Sequence, residues 1–392
     1  MIIKKTNKTL ITKIIEGKTS LYVPETSLTE NIPPKTPAFF NPQAKLNRDI
    51  SMSVYRVFTK NMISPIIMAD TFAGIGARGV RVALEVPKVD QVIINDGNIY
   101  GVKLAKKSAS INQVSDKCKF SNLDVCRFLV SHSSPKKRFS IIDLDPFGSP
   151  APFIDCALRA IDNNGLISIT ATDMAVLCGV YPKTSYRKYN GFSMRTEYSH
   201  ELGIRLLFGS AAHNAMRLGL GIKPIFSYRT RHYFRAYLTV HFGEGWKEKT
   251  FNEIGCILHC FKCNYRTVEN NGNKECPSCK TIMKSAGPLW IGTMHNEKFL
   301  IDLIEDFNKH SLNKGINIAK TSLEEINMQP TYFVIDNISS RIGVATPNLS
   351  NVITNLEKEG FSASRSALNP KGIKTNASSE IIEKVVLKIS KG

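Results

Sequence analysis

One short stretch of the 392-residue sequence combines an acid, a proline and an aromatic residue at the expected end of a strand. It is Asp145-Pro-Phe-Gly148, one residue after the apolar run Phe139–Asp143. Ligands of open α/β sheets bind at the carboxyl ends of the strands, so we expect Asp145 to face a ligand. A carboxylate there can accept N–H hydrogen bonds from a nucleobase amine and stabilise the positive charge that develops on its nitrogen. Asp145 is therefore the candidate catalytic residue, with Pro146 and Phe147 beside the base. The alternative is that Asp145 only caps the helix that follows.

A second group consists of four cysteines with the spacing of a metal site, Cys260-x2-Cys263-x12-Cys276-x2-Cys279. Two such pairs predict a tetrahedral structural Zn²⁺ site, in which four thiolates leave no position for a catalytic water. The alternative is four reduced cysteines without a metal. Because nine cysteines are an odd number at low density, the sequence argues against a secreted disulfide framework.

A glycine-rich loop with acidic residues downstream predicts a nucleoside-binding site. Gly74 and Gly76 lie between an apolar run and a helical pattern, where the backbone must turn sharply and approach a ligand closely. Asp96, twenty residues after Gly76, can accept both ribose hydroxyls, and Asp124 with Val125 is placed to bind the adenine. The same pattern suits NAD, but the strand-end acid and the lack of a second mononucleotide half favour S-adenosyl-L-methionine (SAM). A tight turn without a ligand is the remaining alternative.

The elements that position these residues alternate between short apolar runs and helical patterns from residue 46 to 243. This rhythm predicts an α/β fold with a parallel sheet. The last two strands, Pro224–Tyr228 and Tyr233–Phe242, are joined by a connection too short for a crossover helix and must be antiparallel. A parallel sheet that ends in an antiparallel hairpin is the Rossmann-like arrangement of class I SAM-dependent methyltransferases.

The segments before and after this sheet in the sequence predict smaller structural parts. Residues 1–45 contain a short hairpin around Glu16-Gly17-Lys18 and a linker with aromatic residues, and residues 46–250 form the methyltransferase domain. A smaller α+β domain is expected over residues 251–392. It contains a zinc knuckle at 256–285 and, at 310–392, a winged-helix-like part with a helix, a turn at Thr346-Pro347 and a second helix.

The charge of the chain predicts a polyanionic partner. The formal net charge is +19, although a basic but otherwise ordinary enzyme would have it as well. Two segments are candidates for RNA contact: the tyrosine-rich basic run 181–195, unless it is only a solvated loop, and the C-terminal segment with Arg365, Lys371 and Lys374. No apolar run is long enough to span a membrane, so we expect a cytoplasmic protein. Nothing in the sequence indicates an obligatory protein partner.

Six motifs together resemble the archaeal and eukaryotic tRNA (guanine-26, N2)-dimethyltransferase family, and the similarity extends from about residue 10 to 385. They are Phe39-Phe-Asn-Pro, Asn47-Arg-Asp49, Gly76-Ala-Arg78-Gly79, Asp145-Pro-Phe-Gly148, Gly287-Pro-Leu-Trp290 and Asn369-Pro-Lys-Gly-Ile-Lys374. The resemblance implies SAM-dependent mono- and then dimethylation of the amine of guanosine 26 in tRNA.

The resemblance also implies roles for individual residues. Arg48, Arg78, Asp96 and Asp124 would contact SAM. Phe39 and Phe147 would flank an everted guanine, whose amine Asp145 would hold, because a base inside a duplex cannot reach such a pocket. Without the resemblance, the Phe39–Phe40 pair would be assigned to the core.

Two other functions remain open at this point. The acid, proline and aromatic motif alone would also permit methylation of another base, such as adenine N6 in DNA or rRNA. A zinc knuckle with a winged helix is typical of a non-catalytic nucleic-acid-binding regulator as well, although the intact glycine loop and its acids argue against that function.

Overall fold

The computed structural model describes residues 10–270 and 274–391, and the chain begins there with the predicted hairpin. Strands β1 (Ile11–Glu16) and β2 (Thr19–Pro24) pair antiparallel across Gly17, which has φ +60°. Glycine suits this turn because it adopts positive φ without steric cost. The first residue of the predicted hairpin, Thr9, lies outside the described residues. A short helix α1 (Thr26–Thr29) and the longer α2 (Lys45–Thr59) follow.

The next part of the chain has the predicted alternation of strands and helices. The strands β3, β4, β5 and β6 pair in parallel. Strand β3 pairs with β4 and β6, and β4 pairs with β5. The helices between them provide the crossover connections that parallel strands need. These elements are β3 (Ile67–Asp70), α3 (Ala77–Glu85), β4 (Gln91–Asn95), α4 (Ile99–Ile111), β5 (Cys118–Ser121), α5 (Val125–Val130) and β6 (Phe139–Leu144).

Three more strands complete the sheet. Within the described residues the order is β5-β4-β3-β6-β7-β9-β8, a mixed sheet of seven strands. The last two strands pair antiparallel, as the short connection between them predicted, and their register shifts next to Pro224, which has no N–H to donate. The elements are α6 (Ile154–Ala160), β7 (Ile161–Ala171), α7 (Met174–Leu177), α8 (Pro182–Tyr189), α9 (Ser199–Arg217), β8 (Leu220–Arg229) and β9 (Phe234–Phe242).

The C-terminal part adds two small antiparallel sheets. After α10 (Glu244–Asn252), the strands β10 (Ile254–His259), β11 (Arg266–Glu269) and β12 (Lys284–Trp290) form a sheet in the order β11-β10-β12. The second sheet has the order β13-β15-β14 and packs on helices around a separate apolar core. Its elements and the helices before them are α11 (Glu297–Lys309), α12 (Asn313–Glu324), β13 (Phe333–Val334), α13 (Ile335–Ile342), α14 (Leu349–Lys358), β14 (Ala363–Ser366), β15 (Asn369–Thr375) and α15 (Ser379–Lys391).

The described chain divides into two compact units. Unit 1 contains the residues up to Pro146 together with Cys156–Ser168 and Glu305–Asn313. Unit 2 contains Phe147–Asp155, Ile169–Ile304 and the chain from Lys314 on. Within the part of the chain that the structure describes, none of the helices has both the length and the apolar composition needed to cross a bilayer.

One disulfide links two helices of unit 1. Cys126 in α5 and Cys156 in α6 are bonded, with their Cα atoms 5.4 Å apart. The sequence argued against a framework of disulfides, and this single pair is not a framework. It was nevertheless not foreseen, because two cysteines 30 positions apart give no local pattern.

Candidate functional site

The glycine loop after β3 requires glycine at two positions. Gly74 and Gly76 have φ +55° and +76°, in the left-handed region that favours glycine. A Cβ on Gly74 would lie 2.6 Å from the carbonyl oxygen of Phe39, and one on Gly76 would lie 2.5 Å from Cβ of Ala105. The loop therefore packs directly against both the Phe39 segment and helix α4.

Asp96 is bonded to this glycine loop. Its carboxylate accepts hydrogen bonds from the N–H groups of Gly74 (2.7 Å) and Asn98 (2.8 Å). Burial raises the pKa of Asp96 above its ordinary value, and these two hydrogen bonds oppose the increase. The acid predicted to bind ribose thus lies at the end of β4, fixed to the backbone of the loop.

Asp124 and Val125 lie at the start of α5, after the third strand of the parallel series. Asp124 is the exposed N-cap and accepts a hydrogen bond from the N–H of Arg127 (3.1 Å). Val125 is buried in the first turn. The position agrees with the expectation from sequence, and the predicted contact with adenine stays a prediction.

Arg48 is held by a residue that sequence reasoning missed. Its Nε and Nη2 donate to the two carboxylate oxygens of Glu16, each at 2.6 Å, and its guanidinium lies over the ring of Phe40. Burial alone would raise the pKa of Glu16, but hydrogen bonds and charge from Arg48 and Arg81 lower it below its ordinary value. Arg81 donates to the same carboxylate at 2.9 Å. The N-terminal hairpin therefore positions an arginine predicted to bind SAM.

The candidate catalytic residue Asp145 forms an ion pair with Arg78. Nη2 of Arg78 donates to Oδ2 of Asp145 at 2.5 Å, and the side chain of Asp145 is 30% exposed while that of Arg78 is buried. Nη1 of Arg78 donates to Asn47 Oδ1 (3.1 Å) and Ser51 Oγ (2.7 Å), both on α2. One guanidinium thus joins α2 and α3 to the strand-end acid.

Two further carboxyl groups lie behind this ion pair and are fully buried. Asp143 Oδ1 is 3.4 Å from Nε of Arg78, and Asp143 Oδ2 accepts a hydrogen bond from the hydroxyl of Tyr55. Asp70 accepts from the N–H of Gly79 at 2.8 Å. Burial, together with the charge of Asp143, raises the pKa of Asp70 to about 7. These groups fix Arg78 from the interior and leave Asp145 as the carboxylate of this cluster that reaches the surface.

The predicted aromatic residues differ in burial. Phe40 is buried, whereas Phe39 is half-buried. The Phe39 segment is fixed by Asn98, whose Nδ2 donates to the carbonyl of Pro37 at 2.7 Å. The structure therefore separates the pair into one core residue, Phe40, and one partly exposed residue, Phe39. The contact of Phe39 with a substrate base stays a prediction.

The motif around Phe147 continues from a buried Pro146 into unit 2. Phe147 is exposed, and the next residue, Gly148, exchanges hydrogen bonds with Thr172. Gly148 N–H donates to Thr172 Oγ1 at 2.8 Å, and Thr172 N–H donates to the Gly148 carbonyl at 2.9 Å. These two hydrogen bonds thus fix the backbone next to the exposed Phe147.

The same loop is bonded to α8. Ser149 Oγ donates to the hydroxyl of Tyr189 (2.7 Å), which donates to Oδ1 of Asp173 (2.6 Å). Tyr189 is buried, and burial raises its pKa well above the ordinary value. Sequence reasoning did not find this support, because it depends on three residues whose proximity no local pattern indicates.

The four predicted metal ligands come together in unit 2. The sulfur atoms of Cys260, Cys263, Cys276 and Cys279 all lie within 4.8 Å of one another. Cys260 Sγ is 3.4 Å from Cys279 Sγ, and Cys263 Sγ is 3.4 Å from Cys276 Sγ. Tetrahedral Zn²⁺ with Zn–S bonds of about 2.3 Å requires sulfur atoms about 3.8 Å apart, so the residues present fit this ion.

The backbone of the metal site repeats the same loop twice. Asn264 N–H donates to the carbonyl of Cys260 (2.8 Å), and Lys280 N–H donates to that of Cys276 (2.9 Å). Both residues, each directly after a second cysteine, have positive φ, +64° and +60°. Two equivalent turns, each presenting two thiols to a common centre, are what a four-cysteine zinc site requires.

Comparisons with known proteins agree with this geometry. The family model for N2,N2-dimethylguanosine tRNA methyltransferases matches residues 17–387. A curated tRNA (guanine(26)-N(2))-dimethyltransferase of Methanothermobacter thermautotrophicus is 37% identical, and the match covers 95% of this chain and 97% of that protein. The corresponding protein of Pyrococcus furiosus is 30% identical over 96% of this chain and 98% of its own length.

A solved structure of the same kind matches the fold. The structure of Trm1 from Pyrococcus horikoshii in complex with S-adenosyl-L-methionine has a TM-score of 0.83 and 28% sequence identity, and the match covers 96% of this chain and 99% of that one. SAM is thus bound in a homologous structure, and the α/β methyltransferase-like fold with its mixed seven-stranded sheet is confirmed. With a family model and curated relatives matched over nearly its whole length, the chain belongs to the N2,N2-dimethylguanosine tRNA methyltransferase family predicted from its motifs.

Proposed function

We propose that Asp145 holds the exocyclic amine of guanosine 26 while this enzyme dimethylates it. The reaction itself, SAM-dependent N2,N2-dimethylation of guanosine 26 in tRNA, follows from the family. The observation that supports the role of Asp145 is its ion pair with Arg78: a partly exposed carboxylate is fixed at the end of β6 by an arginine of the helix that starts at the glycine loop.

The chemistry needs an oriented acceptor more than a strong base. The amine of guanine is a poor nucleophile because its lone pair is delocalised into the ring. Arg78 contacts Oδ2 of Asp145, and we assign the amine N–H to Oδ1, which directs the nitrogen lone pair away from the carboxylate. SAM, when bound, supplies the methyl group on its sulfonium. As the N–CH₃ bond forms and the S–CH₃ bond breaks, positive charge develops on nitrogen beside the carboxylate. The methylated amine then transfers a proton to Asp145, late in the reaction.

The same proposal assigns SAM binding to residues around the glycine loop. Gly74 and Gly76, which have positive φ and no side chain, let SAM approach the backbone of the loop closely. Asp96, bonded to that loop, accepts hydrogen bonds from the ribose hydroxyls. Asp124-Val125 binds the adenine from the start of α5. Arg48, fixed by Glu16, and Arg78 contact SAM.

Substrate binding follows from the accessible rings. We propose that guanosine 26 leaves its helix and lies between Phe39 and Phe147, because chemistry on a base amine requires the base outside the stack. The exposed ring of Phe147 and the half-buried ring of Phe39 support these roles. Pro146, buried between Asp145 and Phe147, fixes the direction of the chain at this point.

The C-terminal residues 251–392 are proposed as the tRNA-binding domain. The four-cysteine cluster would bind Zn²⁺ in a structural role, and helices α13 and α14 followed by the β14–β15 hairpin would form the winged-helix-like part. The net charge of +19 supports binding of a polyanion. We place the enzyme in the cytoplasm with its tRNA substrate.

The test replaces Asp145 by asparagine and measures two quantities separately. We expect D145N to reduce single-turnover methyl transfer by about 10³-fold, in the range for loss of one preorganised charge-stabilising group. SAM affinity by calorimetry should stay within about threefold. D116N, which changes an exposed aspartate after α4, is the matched control and should keep full activity.

The substrates in this test are tRNA transcripts with guanosine or adenosine at position 26, and the modified nucleoside is identified by mass spectrometry. Dimethylguanosine from the first transcript only is the expected result. A normal rate for D145N, or an equal loss of SAM affinity and rate, contradicts the role assigned to Asp145. Methylation of the transcript with adenosine would instead support the alternative of an adenine N6 methyltransferase.

A further inference from the structure

A group of exposed aromatic side chains lies on and after α8 in unit 2. Tyr181, Tyr186 and Phe192 are 56%, 48% and 43% exposed. The rings of Tyr186 and Phe192 are stacked, with centroids 4.6 Å apart and an interplanar angle of 15°. We call these three residues, with Lys183 and Arg187, the α8 patch.

The backbone on which Phe192 is exposed is held firmly. Phe192 and Gly287 exchange two backbone hydrogen bonds, each 2.8 Å long. Ser185 Oγ donates to the carbonyl of Gly191 at 2.8 Å, and a Cβ on Gly191 would lie 2.4 Å from the carbonyl oxygen of Pro288. The motif Gly287-Pro-Leu-Trp290 therefore has a structural effect: it fixes an aromatic ring in an exposed position.

Helix α8 is hydrogen-bonded to the loop that contains Phe147. Tyr189 at the end of α8 bonds Ser149, two residues after Phe147, and Asp173. All these residues belong to unit 2. An RNA that contacts Phe147 therefore finds the α8 patch on the helix to which the Phe147 loop is hydrogen-bonded.

The charge around the patch is positive. From residue 174 to 196 the sequence contains four basic residues and no acidic one. Lys188 is paired with Asp173 at 3.1 Å, while Lys183, Arg187 and Arg195 have exposed side chains. Stacked exposed rings next to lysine and arginine match the bases and phosphates of unpaired RNA. A protein partner would have to carry acidic groups of its own to match this positive charge.

We propose that the α8 patch binds a nucleotide of the substrate tRNA next to the everted guanosine, with a base on the Tyr186–Phe192 pair and phosphates at Lys183 and Arg187. This proposal rests on tRNA as the substrate and adds a binding surface outside the methylation site. The RNA strand that contains the everted guanosine would then contact the enzyme at two places, the methylation site and the α8 patch.

The experiment measures tRNA binding directly, by fluorescence anisotropy at fixed salt, for F192L and Y186L. Base stacking on an aromatic ring is worth about 1–3 kcal/mol, so we expect the Kd to rise about 5- to 150-fold. Single-turnover methylation at saturating tRNA should stay within about threefold, as should SAM affinity. The control is F251L, which changes a phenylalanine on α10 that is even more exposed, at 67%, and where acidic residues accompany the basic ones.

Variants at two surface positions separate the charge contribution from folding. K183A and R187A should each reduce the slope of log Kd against log salt by about 0.7 to 0.9, and K183R and R187K should restore it. Thermal unfolding of every variant is measured in parallel. A melting temperature equal to that of the wild type assigns any change in Kd to contact and not to misfolding.

The outcomes are distinguishable from those of the Asp145 test. Binding is also measured in D145N, where tRNA affinity is expected to persist, so that loss of chemistry and loss of the patch give different results. Unchanged Kd and salt slope in all patch variants overturn the proposal. A change in sedimentation, without a change in tRNA affinity, also overturns it, because the patch would then bind a second copy of the chain.

Discussion

Arg78 Nη2 lies 2.5 Å from Asp145 Oδ2, and the same guanidinium contacts Asn47, Ser51 and Asp143. Four partners fix a planar group in one orientation, and that orientation directs one carboxylate oxygen of Asp145 inward. The direction of the other oxygen, Oδ1, is therefore set before any substrate binds. Arg78 is thus a positioning residue for Asp145 in addition to its proposed contact with SAM.

Replacing Arg78 by lysine should separate these two roles. A lysine ammonium cannot reach α2 and Asp145 at once, because it lacks the planar fork of donors. We expect R78K to lower single-turnover methyl transfer by about 10²-fold while the KM for tRNA changes little. R127K, on the exposed side of α5, is the control. A rise in the Kd of SAM with an unchanged transfer rate would show that Arg78 binds the donor and does not position Asp145.

Asp70 predicts a pH dependence of stability. Burial raises its pKa to about 7 from an ordinary value of 3.8, so between about pH 4 and 7 the folded protein holds a proton that the unfolded chain has released. The stability from this group is complete below pH 4 and is lost as the pH rises through 7. We expect D70N to flatten the pH dependence of the free energy of unfolding and to be more stable than the wild type at pH 8.

Urea unfolding at pH 5, 6, 7 and 8 measures this effect. The rise in the pKa of Asp70 from 3.8 to about 7 corresponds to an upper limit of about 4 kcal/mol in the free energy of unfolding. Asparagine at this position can still accept the hydrogen bond from Gly79. D162N removes an exposed carboxyl and should leave the pH dependence of the wild type intact. Parallel curves for D70N and the wild type over this range would mean that Asp70 titrates at the same pH in both states.

The metal site gives a prediction about stability. Replacing Cys260 or Cys279 by serine removes one of four thiolates, so we expect bound zinc to fall from about one ion per chain to near zero. The melting temperature should fall by about 5 °C or more, before SAM-dependent chemistry is affected. Cys178, outside the cluster, provides the control variant C178S. Equal melting temperatures with and without a chelator, for a protein that contains no metal as purified, would exclude a structural ion.

Local patterns in the sequence predicted the strands of the seven-stranded sheet, its antiparallel final pair and the four-cysteine cluster, because each depends on residues close together in the chain. The strands of the two small C-terminal sheets were not predicted. The ion pair of Arg78 with Asp145 spans 67 positions, and that of Arg48 with Glu16 spans 32. Such pairs form only when different elements pack, so no spacing rule reveals them. The same limit applies to the bond between Ser149 and Tyr189, 40 positions apart.

The disulfide between Cys126 and Cys156 provides the last prediction. It closes a segment of 30 residues that begins beside Asp124-Val125 and includes the Asp145 motif. Closing a loop of this length restricts the unfolded chain and stabilises the protein by about 3–4 kcal/mol in the chain-entropy model.

We expect TCEP to lower the free energy of unfolding of the wild type by roughly this amount, as measured by urea unfolding. C126S should have the lower stability from the start and should not respond to TCEP, while C178S should respond like the wild type. If peptide mapping without reductant finds both thiols free and TCEP changes nothing, the bond does not form in solution. SAM affinity measured on the same samples tells whether the bond also fixes the start of α5: a loss of affinity on reduction, reproduced in C126S, would connect the redox state of this pair to donor binding.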